Sequence, residues 1–285
     1  MTSQRCILAA VPSHARSLTF EIRGGADPRP GLARLLPVLD PDASVVGLGE
    51  PLARALGHEI PGLRPFPALS FAGAAVPSTQ AALWVLLHGA DRGVTADRAD
   101  AVVAALGGEF QVTDAVDAFK YREGRDLSGY LDGTENPVGD KAVAAAITKD
   151  GGSFVAVQRW VHDLRHFASL PSKERDLTLG RRIEGNDEIA DAPPTAHVKR
   201  AAQESFDPEA FMVRRSMSWI HDEAKGLLFL AYGESLDRYE RVMRRMVGLE
   251  DGIVDALFRY SRPATGGYYY CPRLTGGRVD ASFFT

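Results

Sequence analysis

The order of short apolar segments constrains the fold most strongly, since it runs strand, helix, two strands, helix, strand and then loosely repeats. In the first half, Cys6–Val11 predicts an early strand, and the continuous apolar run Ala81–His88 is typical of a buried one. Thr95–Leu106 has helical spacing with Thr95 as its predicted cap, and Phe110–Phe119 alternates as a strand does. An element order of this kind is found in ferredoxin-like units.

The second half of the chain repeats that order. Phe211–Trp219 and Gly226–Ala231 predict two strands joined by a polar turn, and Leu236–Val247 predicts a strongly amphipathic helix. We therefore predict an α+β fold of two tandem ferredoxin-like units, of the dimeric α+β barrel type, with helices packed on antiparallel sheets. The N-terminal half is expected to span residues 1–145 and the C-terminal half residues 146–285.

Charge and composition exclude several classes of protein. The chain has 285 residues and a formal net charge of −4, whereas a nucleic-acid-binding domain usually carries a basic excess. Its apolar runs are far shorter than the ~20 residues that a membrane-spanning helix needs. The two cysteines, Cys6 and Cys271, form no CxxC or CxxCH motif, so neither a cysteine zinc site nor thioether-attached haem is encoded. We expect a cytoplasmic protein that binds neither nucleic acid nor membranes.

The densest cluster of chemically active residues is Tyr121–Pro137, YREGRDLSGYLDGTENP, directly after a predicted strand. One interpretation is a surface turn, because Asp132–Gly133 and Asn136–Pro137 are common turn dipeptides. The other is a site at the edge of the interior, because two apolar residues precede the Asp132 carboxylate. Composition alone favours the turn.

Single histidines and a pair of arginines are further candidates. His197 ends a long stretch of little periodicity, just after two prolines that stiffen the chain. Adjacent Arg214 and Arg215 in a strand must point to opposite faces, so one faces the interior and needs an anion or a set of acceptors. His162 and His166 have i, i+4 spacing but no third ligand nearby, and we interpret them as a strand-end and a helix-face residue.

These segments together resemble one family. Gly129–Thr134, GYLDGT, matches the GxxDGT motif of dye-decolourising peroxidases, and the continuation GTENP is similar to the bacterial cytoplasmic (B or P) class. About sixty-five residues after Asp132 comes His197, and seventeen residues after that comes Arg214, in the family's order. The resemblance covers most of the chain and is strongest in four blocks: Asp126–Pro137, Phe154–Arg182, His197–Met217 and Asp255–Gly266.

The resemblance implies a b-type haem (heme b, iron protoporphyrin IX) bound between the sheet and helices of the C-terminal half. His197 occupies the place of the axial iron ligand, which leaves the sixth coordination position open for peroxide. Asp255 matches the carboxylate that accepts the second ring N–H of that ligand. Arg181 matches an arginine that pairs with a haem propionate, and the neighbouring Arg182 is the alternative.

On the peroxide side, the resemblance assigns two catalytic residues. Asp132 is implied to move a proton from the near to the far peroxide oxygen, and Arg214 to stabilise the negative charge that develops as the O–O bond lengthens. Gly133 and Thr134, in the same motif, are assigned to the cofactor pocket. Ser216 stands where some relatives carry asparagine, and we expect it to hold a distal water.

We therefore expect an enzyme, a haem-dependent peroxidase that reduces hydrogen peroxide and oxidises dyes, phenols or similar one-electron donors through a ferryl (compound I) intermediate. The alternatives are a haem-handling or deferrochelatase-like protein with the same axial histidine, and a ferredoxin-like ligand-binding module without metal. A homo-oligomer is expected, whereas an encapsulin shell is not expected as a partner, because the sequence carries no long C-terminal tail. The aromatic residues that could relay electrons, although core packing explains each of them, are Trp84, Trp160, Trp219 and Tyr268–Tyr270.

Overall fold

The computed structural model describes residues 2–285, in which fourteen β-strands and eight α-helices are joined by turns and short 3-10 helices. The strands are β1 His14–Ile22, β2 Ser44–Leu48, β3 Leu69–Phe71, β4 Ala74–Val76, β5 Leu83–Gly89, β6 Phe110–Phe119, β7 Ser153–His162, β8 Val213–Arg214, β9 Met217–His221, β10 Ala224–Gly233, β11 Ser261–Pro263, β12 Gly267–Cys271, β13 Leu274–Thr275 and β14 Arg278–Val279. The helices are α1 Arg29–Leu35, α2 Glu50–Leu56, α3 Arg92–Leu106, α4 Asp140–Ala146, α5 Leu164–Ser169, α6 Ser172–Leu179, α7 His197–Arg200 and α8 Leu236–Val247.

Ten strands form one antiparallel sheet in the order β11-β7-β12-β2-β5-β1-β6-β9-β10-β8. A further pairing of β7 with β10, in which Leu230 lies opposite Val157, joins the two ends of an eight-stranded run. The run from β7 through β12, β2, β5, β1, β6 and β9 to β10 is therefore closed on itself. We call this eight-stranded part the closed sheet.

Alternation along the strands fills the interior of the closed sheet with large apolar side chains. Trp84, Val155, Leu230 and Tyr269 belong to this cluster and are at most 1% exposed. The Trp84 indole N–H donates to the Ser17 hydroxyl at 2.8 Å, which satisfies its only polar atom. Since complete burial of a large apolar side chain stabilises a fold by roughly 1.5–3 kcal/mol, this cluster is a main source of stability.

Helices α1, α3 and α8 cover the outer face of the closed sheet. Helices α1 and α3 contact each other, and α3 packs on β1 and β5. Helix α8 contacts β7 and β10 and buries Tyr239, Met243 and Met246 on one face, as its apolar spacing requires. No helix within residues 2–285 is long and apolar enough to cross a bilayer.

The prediction of an α+β protein with antiparallel sheets and packed helices is confirmed. The strand Phe110–Phe119 and the helix Leu236–Val247 have the predicted bounds. Helix α3, however, begins at Arg92, before the predicted cap Thr95. Its cap is Asp91, whose carboxylate accepts from the backbone N–H of Val94 at 3.0 Å, because aspartate reaches that donor from the preceding extended residue.

The predicted first strand, Cys6–Val11, is wrong. Arg5–Ile7 forms a 3-10 helix instead, and its two apolar side chains are buried among the interior residues of the closed sheet. The preceding Gln4 side chain accepts from the Val46 N–H and donates to the Val46 carbonyl, both at 2.8 Å. A side chain thereby satisfies the backbone of β2 at the point where a neighbouring strand would pair.

The predicted strand Phe211–Trp219 is divided into β8 and β9. Between them, the Arg215 N–H still donates to the Leu230 carbonyl at 2.9 Å. The backbone N–H of Arg214, at the end of β8, donates instead to the side chain of Asn136 in the loop before α4. The interruption is therefore local, and the following turn into β10 is found as predicted.

Candidate active site

A cavity of about 880 Å³ lies between α8, the outer face of β7 and β10, and the loop that follows β6. Most of its wall is apolar and includes Trp160, Met212, Leu227, Phe229, Val242 and Met246. Three predicted site residues, Asp132, His197 and Arg214, line it together. They also line an adjoining cavity of about 780 Å³, which extends to Arg181. Apolar walls with a few convergent polar groups are typical of a cofactor site.

His197 is the first residue of α7, and a carboxylate fixes the orientation of its imidazole. Nδ1 lies 2.7 Å from Oδ2 of Asp255, a residue that is 1% exposed. The other carboxylate oxygen of Asp255 accepts from the Leu257 N–H at 2.8 Å, so the acceptor is itself held in place. Burial opposes protonation of His197, but the charge and hydrogen bond of Asp255 outweigh it and raise the pKa of the imidazole. Nε2 is the ring nitrogen left for a ligand.

Asp132 lies in the loop between β6 and α4, and turn chemistry places it at the cavity wall. Gly129 and Gly133, on either side of it, have φ values of 95° and 72°, which favour glycine. The Asp132 N–H donates to the Gly124 carbonyl at 3.2 Å, which folds the loop back on itself. The Asp132 carboxylate lines this cavity and forms no side-chain hydrogen bond or ion pair within residues 2–285. Its oxygens are free to act on a bound molecule.

Arg214 reaches the cavity from β8. Its Nε is buried and has no hydrogen-bond partner among the described residues, and the same is true of the Ser216 hydroxyl two residues later. A buried, unpaired donor is costly, so such groups mark a place where a polar ligand or ordered water fits. Ser216 lines a third cavity that also contacts Asp132 and Arg214, on the side towards β6.

Asn136 links the loop that carries Asp132 to the strand that carries Arg214. Its side-chain oxygen accepts from the Arg214 N–H at 2.8 Å, and its side-chain nitrogen donates to the Arg214 carbonyl at 2.9 Å. The amide therefore imitates a neighbouring strand and fixes the loop that carries Asp132 against β8. Sequence reasoning assigned Asn136 to a turn and missed this role, because its partner lies 78 residues away.

Arg181 and Arg182 differ in position. Arg181 lines the adjoining cavity, and its guanidinium donates to Glu135 at 2.9 Å and to the Asn186 carbonyl at 3.2 Å. Arg182 is exposed and is not part of that wall. Arg181 is thus the arginine that a carboxylate at the cavity edge would meet.

Comparison with known proteins identifies the family. The model for "Dyp-type peroxidase, C-terminal" matches residues 123–275, which is more than half of the chain and includes the residues described above from Asp132 to Asp255. The chain belongs to the Dyp-type peroxidase family. The predicted family, the enzyme class and haem-dependent peroxidase function are thereby confirmed.

Several Dyp-type peroxidases are similar over nearly the whole chain. The dye-decolorizing peroxidase of Rhodococcus erythropolis is 29% identical over 280 residues, covering 93% of this chain and 78% of the relative. The dye-decolorizing protein of V. cholerae is 26% identical with a TM-score of 0.86, and the match covers 94% of this chain and 96% of that structure. DyPB from Rhodococcus jostii RHA1 is 27% identical with a TM-score of 0.85, covering 95% and 96%. A variant of that DypB is described in complex with heme, at 26% identity and a TM-score of 0.87 with the same coverage.

The residues around the cavity fit the haem of a Dyp-type peroxidase. An imidazole with one nitrogen held by a buried carboxylate is the donor that haem iron takes from histidine. The apolar wall suits a porphyrin face, the unpaired Nε of Arg214 lies at this cavity, and the unpaired hydroxyl of Ser216 lies at the third cavity, which Arg214 also lines. Neither cysteine lines this cavity, and both are buried as free thiols, which agrees with a cofactor held without thioether bonds.

A second polar cluster in the same cavity was not predicted. His162 Nδ1 lies 2.6 Å from the Ser261 hydroxyl, and Nε2 lies 3.0 Å from Asp126. Burial opposes ionisation of Asp126, but hydrogen bonds from His162 and Ser128 and the imidazolium charge together lower its pKa. The prediction that His162 ends a strand and His166 lies on a helix is confirmed, and no cluster of metal-ligating side chains occurs in the described part of the chain. The one signal in the sequence that could have pointed to Asp126 is its place six residues before Asp132 in the polar loop.

Proposed function

We propose that this chain is a heme b peroxidase in which His197 binds the iron, and Asp132 and Arg214 act on hydrogen peroxide. The observation that carries the proposal is that one apolar cavity receives the carboxylate-held imidazole together with an unpaired carboxylate and an unpaired guanidinium nitrogen. When bound, haem supplies a redox-active iron that delivers two electrons to peroxide and recovers them from donors. The protein supplies orientation, a proton path and fixed charge.

The proximal side is proposed to be set by His197 and Asp255. The short bond between Nδ1 and the buried carboxylate fixes the tautomer, so that Nε2 carries the lone pair for iron. The carboxylate also increases the basicity of the imidazole, which favours the oxidised iron. Because the Leu257 N–H and the interior hold Asp255, this orientation costs little entropy when the cofactor binds.

The distal side is proposed to depend on Asp132 and Arg214. The Asp132 carboxylate takes the proton from the near peroxide oxygen and returns it to the far oxygen, which then leaves as water. The fixed positive charge of Arg214 stabilises the negative charge on that oxygen while the O–O bond breaks. Asn136 positions both groups through its two bonds to the Arg214 backbone. Ser216 is proposed to hold a water beside them, and Gly133, with its positive φ, lets the loop turn between Asp132 and Asn136.

Arg181 is proposed to bind a haem propionate, for which it would exchange its present partner Glu135. The support is its position on the cavity wall, next to Thr134 and on the same side as His197. Its neighbour Arg182 is exposed and is therefore the control for this assignment.

The finer description of the fold is also a proposal. The strand orders β2-β5-β1-β6 and β12-β7-β10-β9 each follow the pattern of a ferredoxin-like unit, which supports two tandem units at residues 1–145 and 146–285. Association into a homo-oligomer stays a prediction that light scattering tests directly. Buried free thiols at Cys6 and Cys271 support a cytoplasmic location.

An absorbance experiment tests the function. Protein expressed with haem supplied should show a Soret band that His197→Ala weakens or shifts. The control is His166→Ala, which changes an exposed histidine on a helix and should leave the band unchanged. Peroxide should convert the spectrum, and Asp132→Asn or Arg214→Leu should slow that conversion without loss of haem. Haem binding without any peroxide reaction would instead favour the haem-handling or deferrochelatase-like alternative, and a colourless protein would favour a module without metal.

A further inference from the structure

A larger polar cavity, which the proposed peroxide chemistry does not use, opens at one end of the closed sheet. It has a volume of about 1120 Å³ and shares no lining residue with the haem cavity. Strands β1, β6, β7, β10 and β12 and the loop before β5 surround it. We call it the mouth cavity, and its lining includes Asp114, Val157, Arg159, Leu228 and Tyr269.

One side of the mouth cavity is apolar and the other carries a charged pair. Val157, Leu228 and Tyr269 provide aliphatic and aromatic surface. On the polar side, Arg159 lies 3.4 Å from Asp114. Arg159 Nε is buried and has no hydrogen-bond partner in the described part of the chain. The pair therefore offers the unpaired Nε–H of Arg159 and the half-buried carboxylate of Asp114, next to an apolar surface on which an aromatic ring can pack.

These groups define the chemistry of a ligand. A second carboxylate, Glu21, also lines the cavity, so Glu21 and Asp114 together outweigh the single charge of Arg159 and repel anions. A cation would have to displace Arg159 from Asp114. A neutral aromatic molecule with a hydroxyl group meets neither cost: its O–H can donate to Asp114, its oxygen can accept from Arg159, and its ring covers the apolar side. Phenols have this combination.

The wall between the mouth cavity and the haem cavity is one sheet thick. Arg159 faces the mouth cavity and the next residue, Trp160, lines the haem cavity, as alternation along β7 requires. The Arg159 guanidinium lies 5.5 Å from the centre of the Trp219 ring, whose indole N–H donates to the Trp160 carbonyl at 3.0 Å. A molecule bound at Arg159 would therefore be separated from the haem cavity by the thickness of β7, at the point where the Trp219 indole meets the backbone of Trp160.

We propose that the mouth cavity binds a phenolic one-electron donor of the peroxidase. This role rests on the proposed function, although binding itself does not. In each event the phenol gives one electron across the Trp219–Trp160 wall and its hydroxyl proton to Asp114, and leaves as a phenoxyl radical. Two phenols are consumed for each hydrogen peroxide, which gives two waters and two phenoxyl radicals, so atoms and electrons balance.

Calorimetric titration of the resting haem-loaded protein with 2,6-dimethoxyphenol tests binding. We expect saturable binding without a Soret shift and at least about a tenfold weaker Kd in Asp114→Asn, because a charge-assisted hydrogen bond is lost. The matched control is Asp117→Asn. Asp117 lies on the same strand as Asp114 and its exposed carboxylate also pairs with arginine, but it lies outside the mouth cavity. Equal Kd values for the two variants, or a Soret shift on binding, would overturn the proposal.

A second variant keeps the test independent of the buried charge pair. Ser78 is exposed and lines the mouth cavity, so Ser78→Trp fills it without disturbing the core, whereas Ala75→Trp adds the same ring at an exposed position outside it. We expect Ser78→Trp to raise both Kd and the KM for the phenol about tenfold and to leave the peroxide step unchanged. A KM within twofold of the Ala75→Trp value would exclude the mouth cavity as the donor site. Phenol binding that persists in a protein without peroxide reaction would reject the peroxidase function but not the site.

Discussion

Asn136→Ala tests whether a side-chain amide holds the distal residues together. The substitution removes two hydrogen bonds to the Arg214 backbone, of 2.8 and 2.9 Å, and leaves that N–H and carbonyl without their partners. A side-chain hydrogen bond contributes about 1 kcal/mol net, so the free energy of unfolding should fall by about 2 kcal/mol. In a chain of this size that corresponds to a decrease in Tm of about 3 °C.

The effect of Asn136→Ala on catalysis should be larger than its effect on stability. Without the amide, the loop that carries Asp132 is no longer fixed to the strand that carries Arg214, and a displacement of about 1 Å between reacting groups can cost about 100-fold in rate. We expect the rate constant for the reaction with peroxide to fall by a factor between about 10 and 100, at unchanged haem content. Stopped-flow absorbance measures this rate, and differential scanning calorimetry measures the Tm.

The control for that experiment is Val138→Ala, in the same loop, because this side chain is 78% exposed. It should change neither the Tm nor the peroxide rate. Asn136→Asp should resemble the alanine variant, because a carboxylate cannot donate to the Arg214 carbonyl. If Asn136→Ala lowers the Tm while the peroxide rate stays within twofold of the wild type, the reasoning that Asn136 positions the distal pair is refuted.

Three further predictions concern single charged groups. Asp255→Asn should raise the reduction potential of the haem and weaken its binding, because the imidazole of His197 loses its anionic partner. Spectroelectrochemistry measures the potential, and it should show no such rise for the control Asp251→Asn, which breaks the ion pair with Arg200 instead. Arg181→Leu should weaken haem affinity about tenfold in a transfer assay to apomyoglobin, and an equal loss in the exposed variant Arg182→Leu would contradict the propionate assignment. The folded-state pKa of Asp126 is lowered, so its stabilisation is complete above its unfolded pKa of about 3.9 and is lost as pH falls through the folded value. Urea unfolding should therefore show a stability difference between wild type and Asp126→Asn that shrinks as pH falls below about 4, and a difference independent of pH in that range would disprove that folding stabilises the Asp126 carboxylate.

The parts of the fold that could be predicted are those that local pattern determines. Leu236–Val247 has its predicted bounds because its apolar spacing and the glycine that follows specify both its face and its end. Cys6–Val11 was wrong because an apolar run of that length is compatible with several local structures. Its conformation depends on Gln4 and on the interior of a sheet whose strands come from both halves of the chain.

The site was predictable by residue type and order, but not by its contacts. The motif around Asp132 and the spacing to His197 and Arg214 identified side chains that line one cavity. The hydrogen bonds that hold them join residues 58 and 78 positions apart, and no local pattern encodes such a pairing. Asn136 was therefore assigned to a turn although it contacts a catalytic candidate directly.

Arg214, the last residue of β8, and the next residue, Arg215, point to opposite sides of the sheet. Arg214 lines the haem cavity, whereas Arg215 points to the other side, where its guanidinium donates to the Leu8 carbonyl at 3.0 Å and to the Arg214 carbonyl at 3.2 Å. Burial lowers the pKa of Arg215, yet these acceptors keep it in place without an anion. The guanidinium of Arg215, on the closed-sheet side, thus has the set of acceptors that a buried arginine without an anion needs. Arg214 has an unpaired Nε in the haem cavity, so its guanidinium is available to a reacting molecule.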